Sequence, residues 1–335
     1  MIPVFYGKTE YVPYNEIVDR IKSFQNHSVI GKDQSEEYDM YMIELGDREN
    51  PTIFITASLH GTEWQSTIYT MDFLEQLEKN TFPDNEFRDY LIDNFHIACI
   101  PVVNPWGYNE TTEHAITLGR RNSRGVDINR DFYDFTEKES QNTREQMLRF
   151  KPFAYLDSHL IRTSSDRSQL LIVGNGQPET NYLKEIWSNL LKIHSGYDVL
   201  QWEGYENLTK GLSRRFMRDQ QNDYTPYTLS YITEITRPVN ETRGFVAPLT
   251  DYEIYNFGMV NIFLFLKTSI QYFKEHNYSL VDHVISPTKS TVVKRNMDGI
   301  AYSIVENDSI STIETTFVRD ELGIVQSLNR QELEE

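Results

Sequence analysis

The segment TIFITASLHGTEWQSTIYTMDFLEQLEK, residues 52–79, changes its hydrophobic period halfway along. Its first six residues form an apolar run rich in branched side chains, which predicts a buried strand over 52–57. Apolar residues then recur at positions 64, 68, 71, 74 and 77, the spacing of an amphipathic helix. A strand followed directly by a helix is the repeating unit of an α/β sheet protein.

Short apolar runs alternate with helical patterns along most of the chain. The other runs that predict strands are DMYMIEL (39–45), HIACIPVV (96–103), PFAYLD (152–157), LLIVG (170–174) and TLSYITEI (228–235). Further helices are predicted over 14–24, 179–196 and 253–276, with Gly196 as a C-terminal cap. We therefore expect an α/β fold, with a mixed, mostly parallel sheet and helices on both faces.

The pattern changes after the last predicted helix. Residues 279–290 resemble a linker, and STVVKR (290–295), IAYSIV (300–305) and TIETTFVR (312–319) are short strand-like segments. The sequence thus predicts two domains, residues 1–278 and a small β-rich appendage over residues 279–335. The appendage is a candidate surface for a protein partner.

Charge and hydropathy limit the partners of the chain. Its 335 residues carry a formal net charge of −18, whose field would repel nucleic acid and anionic membranes. The first residues lack the pattern of a signal peptide, and no run is apolar enough to span a membrane. We expect a cytoplasmic protein, or one released without a signal peptide, that does not span or bind a membrane.

The turn between the first strand and helix, SLHGTEWQ (58–65), holds His60 and Glu63 three residues apart. Residues at i and i+3 face the same way from a helical turn, so the two side chains could converge on one cation. A structural interpretation is equally open, because Ser58 or Thr62 would cap a helix whose positive end favours Glu63. The pair alone does not decide between a metal site and a helix start.

A third ligand would have to come from the end of another strand. Ligand sites on such sheets lie at the carboxyl ends of the strands, and Asn104 and His159 each follow a predicted strand. With His159 the set becomes two imidazoles and one carboxylate, which is a ligand set of catalytic zinc with one position open. The competing interpretation is that His159 is a structural histidine.

The segment LGRRNSRGVDINRDF (118–132) carries four arginines, at positions 120, 121, 124 and 130. The planar guanidinium group suits carboxylates and oxyanions, so three of them are candidates for binding a substrate anion. For Arg124 we expect instead a solvated position with a surface ion pair.

Several short motifs occur in one order along the chain. They are HGTE (60–63), NPWG (104–107), RRN (120–122), GVDINRDF (125–132), DSH (157–159) and ITEI (232–235). Their order and approximate spacing resemble the zinc carboxypeptidase family, which includes the pancreatic carboxypeptidases. The resemblance extends over roughly residues 35–276, and it rests on the combination of motifs rather than on any one of them.

The resemblance implies the α/β/α fold of that family, one zinc ion per chain and a role for each matching residue. The implied zinc ligands are His60, Glu63 and His159. Asp127 resembles the carboxylate that accepts a hydrogen bond from the outer nitrogen of His60. The residues that resemble the substrate-binding and catalytic groups are Asn129 and Arg130 for the terminal carboxylate, Arg120 for the oxyanion and Glu234 for the general base.

Two parts of the family pattern are matched less directly. The family usually has a serine after the second histidine ligand, and this chain has Leu160. The substrate-capping tyrosine is assigned to Tyr205, with Tyr224, Tyr227 and Tyr231 as rivals. In the segment TKGLSRRFMRD (209–219) the specificity position falls on Arg214 in one alignment and on Ser213 in another.

The resemblance implies a zinc-dependent exopeptidase that hydrolyses the C-terminal bond of a peptide or of a peptidoglycan stem peptide. Arg214 would then favour a C-terminal residue with a second carboxylate, unless it lies on a solvated helix face and pairs with Asp219 or Glu206. One alternative is a zinc amidohydrolase of N-acyl amino acids, of the succinylglutamate desuccinylase and aspartoacylase type. A second alternative is an inactive binding module.

Overall fold

The computed structural model describes residues 2–162, 168–202, 211–220, 222, 224, 225, 227–239, 248–276, 289–295, 301–308, 312–319 and 325–333. Its helices are α1 Tyr14–Lys22, α2 Gln65–Glu78, α3 Asn85–Asn94, α4 Pro105–Glu110, α5 Lys138–Phe150, α6 Pro178–Ser195, α7 Ser213–Arg218 and α8 Asp251–His276. Its strands are β1 His27–Lys32, β2 Asp39–Leu45, β3 Thr52–Ala57, β4 His96–Ile100, β5 Ala154–Arg162, β6 Leu170–Val173, β7 Val199–Trp202, β8 Leu229–Arg237, β9 Lys289–Arg295, β10 Ala301–Asp308, β11 Thr312–Arg319 and β12 Val325–Leu333.

The first eight strands form one mixed sheet in the order β1-β2-β4-β3-β5-β8-β6-β7. The central strands β4, β3, β5 and β8 run parallel to one another, while the pairs β1–β2, β2–β4 and β8–β6 are antiparallel. Helices pack on the sheet, with α2 against β3 and β5, α5 against β1, and α6 against β6, β7 and β8. The α/β fold expected from the sequence is therefore confirmed.

The central strands are buried along their length, as parallel strands covered by helices must be. All six residues of β3 are buried, and Met71, Leu74 and Leu77 of α2 have no exposed surface. These are three of the positions that the helical period selected in the sequence. The strand–helix unit at residues 52–79 is consequently a central element of the core.

Most predicted elements coincide with observed ones. The strands over 39–45 and 52–57 have the predicted bounds, and α6 ends at Ser195 and is followed by Gly196, whose φ of 75° gives the expected left-handed cap. The strand predicted over 152–157 continues to Arg162 as β5. The sequence analysis did not predict β1, β7, β12, α3, α4 or α5.

The chain divides into two compact units, Met1–Thr268 and Ser269–Glu335. The second unit contains an antiparallel four-stranded sheet in the order β12-β11-β10-β9, which includes the three strands that were predicted there. The predicted linker lies largely outside the described residues, and the domain boundary after residue 278 stays a prediction. Among the described helices, α8 included, none is long and apolar enough to cross a membrane.

Candidate metal centre and active site

The three predicted metal ligands meet at the carboxyl edge of the central strands. His60 precedes the short 3-10 helix Gly61–Glu63 that follows β3, and His159 lies in the neighbouring strand β5. The ligand atoms of His60, Glu63 and His159 lie within 4.8 Å of one another, and all three side chains are buried. This is the one group of at least three histidine, cysteine or acidic side chains in the described residues that could hold a metal ion.

The carboxylate of Glu63 lies between the two imidazole rings. Its Oε1 is 2.8 Å from Nδ1 of His60, and its Oε2 is 2.8 Å from Nδ1 of His159. Oε2 also accepts a hydrogen bond of 3.1 Å from the backbone N–H of Leu160. Burial alone would raise the pKa of Glu63, but attraction by the two imidazoles outweighs it and holds the pKa well below the usual range.

Each imidazole is oriented from behind by a carboxylate. Nε2 of His60 lies 3.0 Å from Asp127 Oδ1, and Nε2 of His159 lies 2.9 Å from Asp157 Oδ2. An ionised carboxylate can only accept, so Nε2 of each ring carries a proton. Nδ1 of each ring faces Glu63 at the centre of the site and is the nitrogen that would bind a cation there once it carries no proton.

Asp157 is a member of the site that the sequence analysis missed. It is fully buried and accepts hydrogen bonds from Thr56 at 2.9 Å and from Ser213 at 2.5 Å. Asp157 precedes His159 by two residues in one strand, so both side chains point to the same face of the sheet. The DSH motif contained this signal, whereas no local pattern indicates Ser213.

Neither predicted helix cap is formed at residues 58–65. Neither His60, which precedes the 3-10 helix, nor Trp64, which precedes α2, makes a side-chain capping bond. The Ser58 hydroxyl contacts the Glu63 carbonyl and the hydroxyl of Thr67. The cap interpretation of this turn is therefore wrong.

Glu234 is adjacent to the metal ligands. It pairs in register with His159 on the parallel strands β5 and β8, and it lines the same cavity as His60 and Glu63. Burial raises the pKa of the Glu234 carboxyl to about 7, although attraction of the carboxylate by the neighbouring His159 acts to lower it. A carboxyl with that pKa can both accept and release a proton near neutral pH.

Arg120 reaches the same centre from the loop before the 3-10 helix Ile128–Arg130. Its Nη1 lies 3.2 Å from Glu63 Oε1, and its Nη2 donates to Asp127 Oδ2 at 3.2 Å. Burial would lower its pKa, but attraction by Glu63 and Asp127 outweighs this, and the pKa is raised. A cation is thereby fixed beside the metal ligands.

The other predicted substrate-binding residues are placed differently from one another. Arg130 is exposed and lines the cavity. Asn129 is buried and lies outside the described cavity wall, where its Oδ1 accepts a hydrogen bond from the backbone N–H of Ser213 at 3.0 Å. Tyr205 lies outside the described residues, so the capping tyrosine stays a prediction. The binding of a terminal carboxylate by Asn129 and Arg130 stays a prediction as well.

The placement of Arg214 at the floor of a specificity pocket stays a prediction. Arg214, the second residue of α7, is buried, and its Nη1 donates to the carbonyl of Gly174 at 2.5 Å. It is not among the residues that line the described cavity. The alternative of a solvated helix face is wrong for Arg214, which is only 7% exposed. Asp219 pairs with Arg218, and Glu206 lies outside the described residues.

A cavity of about 900 Å³ opens over the metal ligands. Its described lining residues are His60, Glu63, Trp106, Ile116, Thr117, Leu118, Gly119, Arg120, Arg121, Asn122, Ser123, Gly125, Arg130, Leu160, Ile161, Glu234 and Arg237. This volume lies within the range of ligand pockets in proteins, about 300–1,000 Å³.

Comparison with known proteins places this geometry in a family. A zinc carboxypeptidase family model matches residues 15–224. Human carboxypeptidase D is 31% identical over 107 residues, which are 30% of this chain and 8% of that protein. Mouse mast cell carboxypeptidase A is 29% identical over 142 residues, 40% of this chain and 32% of that protein. These curated relatives are thus matched over less than half of their own length.

Solved structures share the fold. A metallo-carboxypeptidase from Burkholderia cenocepacia has a TM-score of 0.58 at 14% identity, over 77% of this chain and 69% of that chain. Members of the zinc carboxypeptidase family use zinc, and the His60, Glu63 and His159 cluster is able to bind a metal ion. Because the family model matches more than half of its residues, this chain belongs to the zinc carboxypeptidase family.

Proposed function

We propose that this protein is a zinc-dependent exopeptidase that removes the C-terminal residue of a peptide, a peptidoglycan stem peptide included. The observation that carries the proposal is the register of β5 and β8, which sets Glu234 directly beside the ligand His159. Glu234 lies beyond residue 224, where the family match ends. Its role therefore rests on this geometry rather than on the match.

The side chains fit a zinc ion by their chemistry. Two neutral imidazole nitrogens and one carboxylate form a three-ligand set that leaves a fourth position for a water molecule or a substrate. Asp127 and Asp157 hold the outer nitrogens of the two rings, the usual arrangement behind histidine ligands. A zinc ion held by these residues would polarise the scissile carbonyl and would lower the pKa of a water molecule at the site to about 7.

Glu234 acts as the general base. Its carboxylate takes a proton from the attacking water and passes it to the nitrogen of the leaving amino acid. The pKa of about 7 suits both halves of this transfer, because neither protonation state is strongly favoured at neutral pH.

Two arginines each bind a different anionic group of the substrate. Arg120, held by Glu63 and Asp127, faces the carbonyl oxygen as negative charge develops on it. Arg130 is exposed to the cavity and binds the terminal carboxylate. The carboxylate fixes which bond is presented, so cleavage is confined to the chain end.

Metal analysis joined to a substrate panel tests this function. We expect one zinc per chain and hydrolysis within a panel of blocked dipeptides, cell-wall peptides and N-acyl amino acids. The variant Glu234→Gln keeps the shape but cannot accept the proton, so kcat should fall by at least about a hundredfold with zinc retained. Near-normal turnover by zinc-loaded Glu234→Gln would refute the base assignment.

The same panel distinguishes the alternatives. Hydrolysis of N-acyl amino acids without cleavage of peptides would replace the exopeptidase with an amidohydrolase. Binding of peptides without turnover by the zinc-loaded chain would support a binding module.

A further inference from the structure

The described wall of the cavity is rich in positive charge, whereas the molecule as a whole is strongly negative. The chain has a net charge of −18, yet the described cavity wall contains four arginines, Arg120, Arg121, Arg130 and Arg237. Glu63 and Glu234 are the acidic residues in that described wall, and both belong to the metal centre. A concave surface lined by one sign of charge concentrates ligands of the opposite sign.

Two of these arginines are either paired with carboxylates of the protein or buried. Arg120 donates to Glu63 and Asp127 at the metal centre. Arg237 is 3% exposed, and its Nη1 donates to the carbonyl of Ala115 at 2.9 Å. Arg121 and Arg130 are the exposed arginines of the described wall. If Arg130 binds the terminal carboxylate, Arg121 is a second cation in the same cavity.

Arg121 is held by an ordered turn. Its Nη1 donates to the carbonyl of Gly125 at 2.8 Å. Asn122 closes the turn, since its Oδ1 accepts from the backbone N–H groups of Arg124 and Val126. A guanidinium that is anchored at one nitrogen still has other N–H donors for a ligand anion. The turn therefore presents Arg121 to the cavity with a restricted orientation.

We propose that Arg121 binds a second carboxylate, on the side chain of the residue that carries the free C-terminus. The protein would then prefer substrates that end in an acidic residue such as glutamate. This inference rests on the proposed function and adds a substrate class to it. Arg121 lines the described cavity wall, whereas Arg214 is buried and donates to the carbonyl of Gly174.

Ligand binding tests the inference without depending on turnover. The probes are acetyl-glutamate and acetyl-glutamine, which differ by one carboxylate, titrated into the zinc-loaded full chain by calorimetry. We expect acetyl-glutamate to bind about tenfold to a hundredfold more tightly, the range of a hydrogen bond to a charged group. Arg121→Gln should remove most of this ratio.

Arg124→Gln is the matched control. Arg124 lies in the same turn and carries the same charge, but its Nη1 is 3.5 Å from Glu137 and it is not in the described cavity wall. The control should keep the wild-type ratio at equal ionic strength. Equal loss in both variants would show only a long-range charge effect and would overturn the assignment, as would an unchanged ratio in Arg121→Gln or no preference in the wild type.

Turnover separates this inference from the proposed function. In kcat/KM for blocked peptides ending in Glu and Gln, Arg121→Gln should lower the Glu value and leave the Gln value nearly unchanged. Cleavage with no preference for Glu would refute the anion subsite and leave the exopeptidase. An Arg121-dependent preference in binding, with no cleavage of any peptide, would refute the exopeptidase and leave the subsite.

Discussion

At the scale of single residues, the metal centre depends on the carboxylates that bind the outer nitrogens of its histidine ligands. Asp127 and Asp157 fix which nitrogen of each imidazole faces the cation. Asp157 is held in turn by the hydroxyl groups of Thr56 and Ser213. The orientation of His159 is thereby tied to α7, whose first residue is Ser213.

We expect Asp157→Asn to lower zinc affinity by about tenfold to a hundredfold, the usual cost of losing a partner of a histidine ligand. The amide keeps the shape of the side chain but loses the charge that holds the His159 proton. Competition with a chelator measures the affinity. Asp93→Asn, on an exposed position of α3, is the control and should bind zinc as the wild type does. Equal affinities in all three proteins would contradict this role.

The pKa of Glu234 predicts an acid limb in the activity. Burial raises this pKa to about 7, and the general base works only when ionised, so kcat/KM should fall as the pH drops below the pKa. A bound divalent cation favours the ionised carboxylate and lowers its pKa, so the fall in kcat/KM should be centred at pH 7 or lower. The pH profile of kcat/KM, recorded with zinc retained, measures the limb. Activity that rises steadily towards pH 5 would be incompatible with Glu234 as the base.

At the scale of elements, three glycines allow the site loops to approach each other. A methyl group added at Gly61 would overlap the backbone of Gly107, and one added at Gly107 would overlap the carbonyl oxygen of Gly119. Gly119 also has a φ of 79°, a backbone conformation that residues other than glycine rarely adopt. This backbone contact brings Arg120, the next residue, against the turn that carries His60 and Glu63.

Gly107→Ala should displace the loop that carries Arg120 and lower kcat by about a hundredfold, the cost of misplacing a catalytic group by about 1 Å. KM should change less, because Arg130 lies outside this contact. Steady-state kinetics measure both constants, with melting temperature and zinc content as checks of folding. The control is Gly174→Ala, whose added methyl would meet side chains and no backbone, with Thr180 nearest at 3.3 Å and Asn181 and Lys184 at 3.5 and 3.6 Å. An unchanged kcat in Gly107→Ala would contradict the role of this contact.

At the scale of the whole molecule, every described residue of the metal centre and cavity falls within residues 60–237. We therefore expect a chain truncated after residue 278 to keep its zinc and its kcat. Zinc content and kinetics of the truncated and full-length proteins provide the measurement. Loss of activity in a folded, zinc-loaded truncation would show that the appendage contributes to the site.

The elements that could be predicted from the sequence are those with a strong hydrophobic periodicity. The strand DMYMIEL and the helix after SLHGTEWQ carry a regular apolar pattern, and both were predicted. The edge strand β1 has partly exposed residues throughout, and α5 is rich in polar residues, so neither carries a strong pattern. Burial on one face creates the signal that a sequence shows, and weakly buried elements lack it.

The sequence by itself determined the α/β fold and, through its motifs, the residues that form the metal centre. It could not determine distances between residues far apart in the chain, because these depend on strand register and on how the loops pack. His159 meets Glu63 across 96 residues of sequence. Tertiary structure alone joined Asp157 to Ser213, buried Arg214 away from the cavity and left Arg121 exposed in its wall. Periodicity encodes which face of an element is buried, whereas the partner of a side chain is decided when the elements pack together.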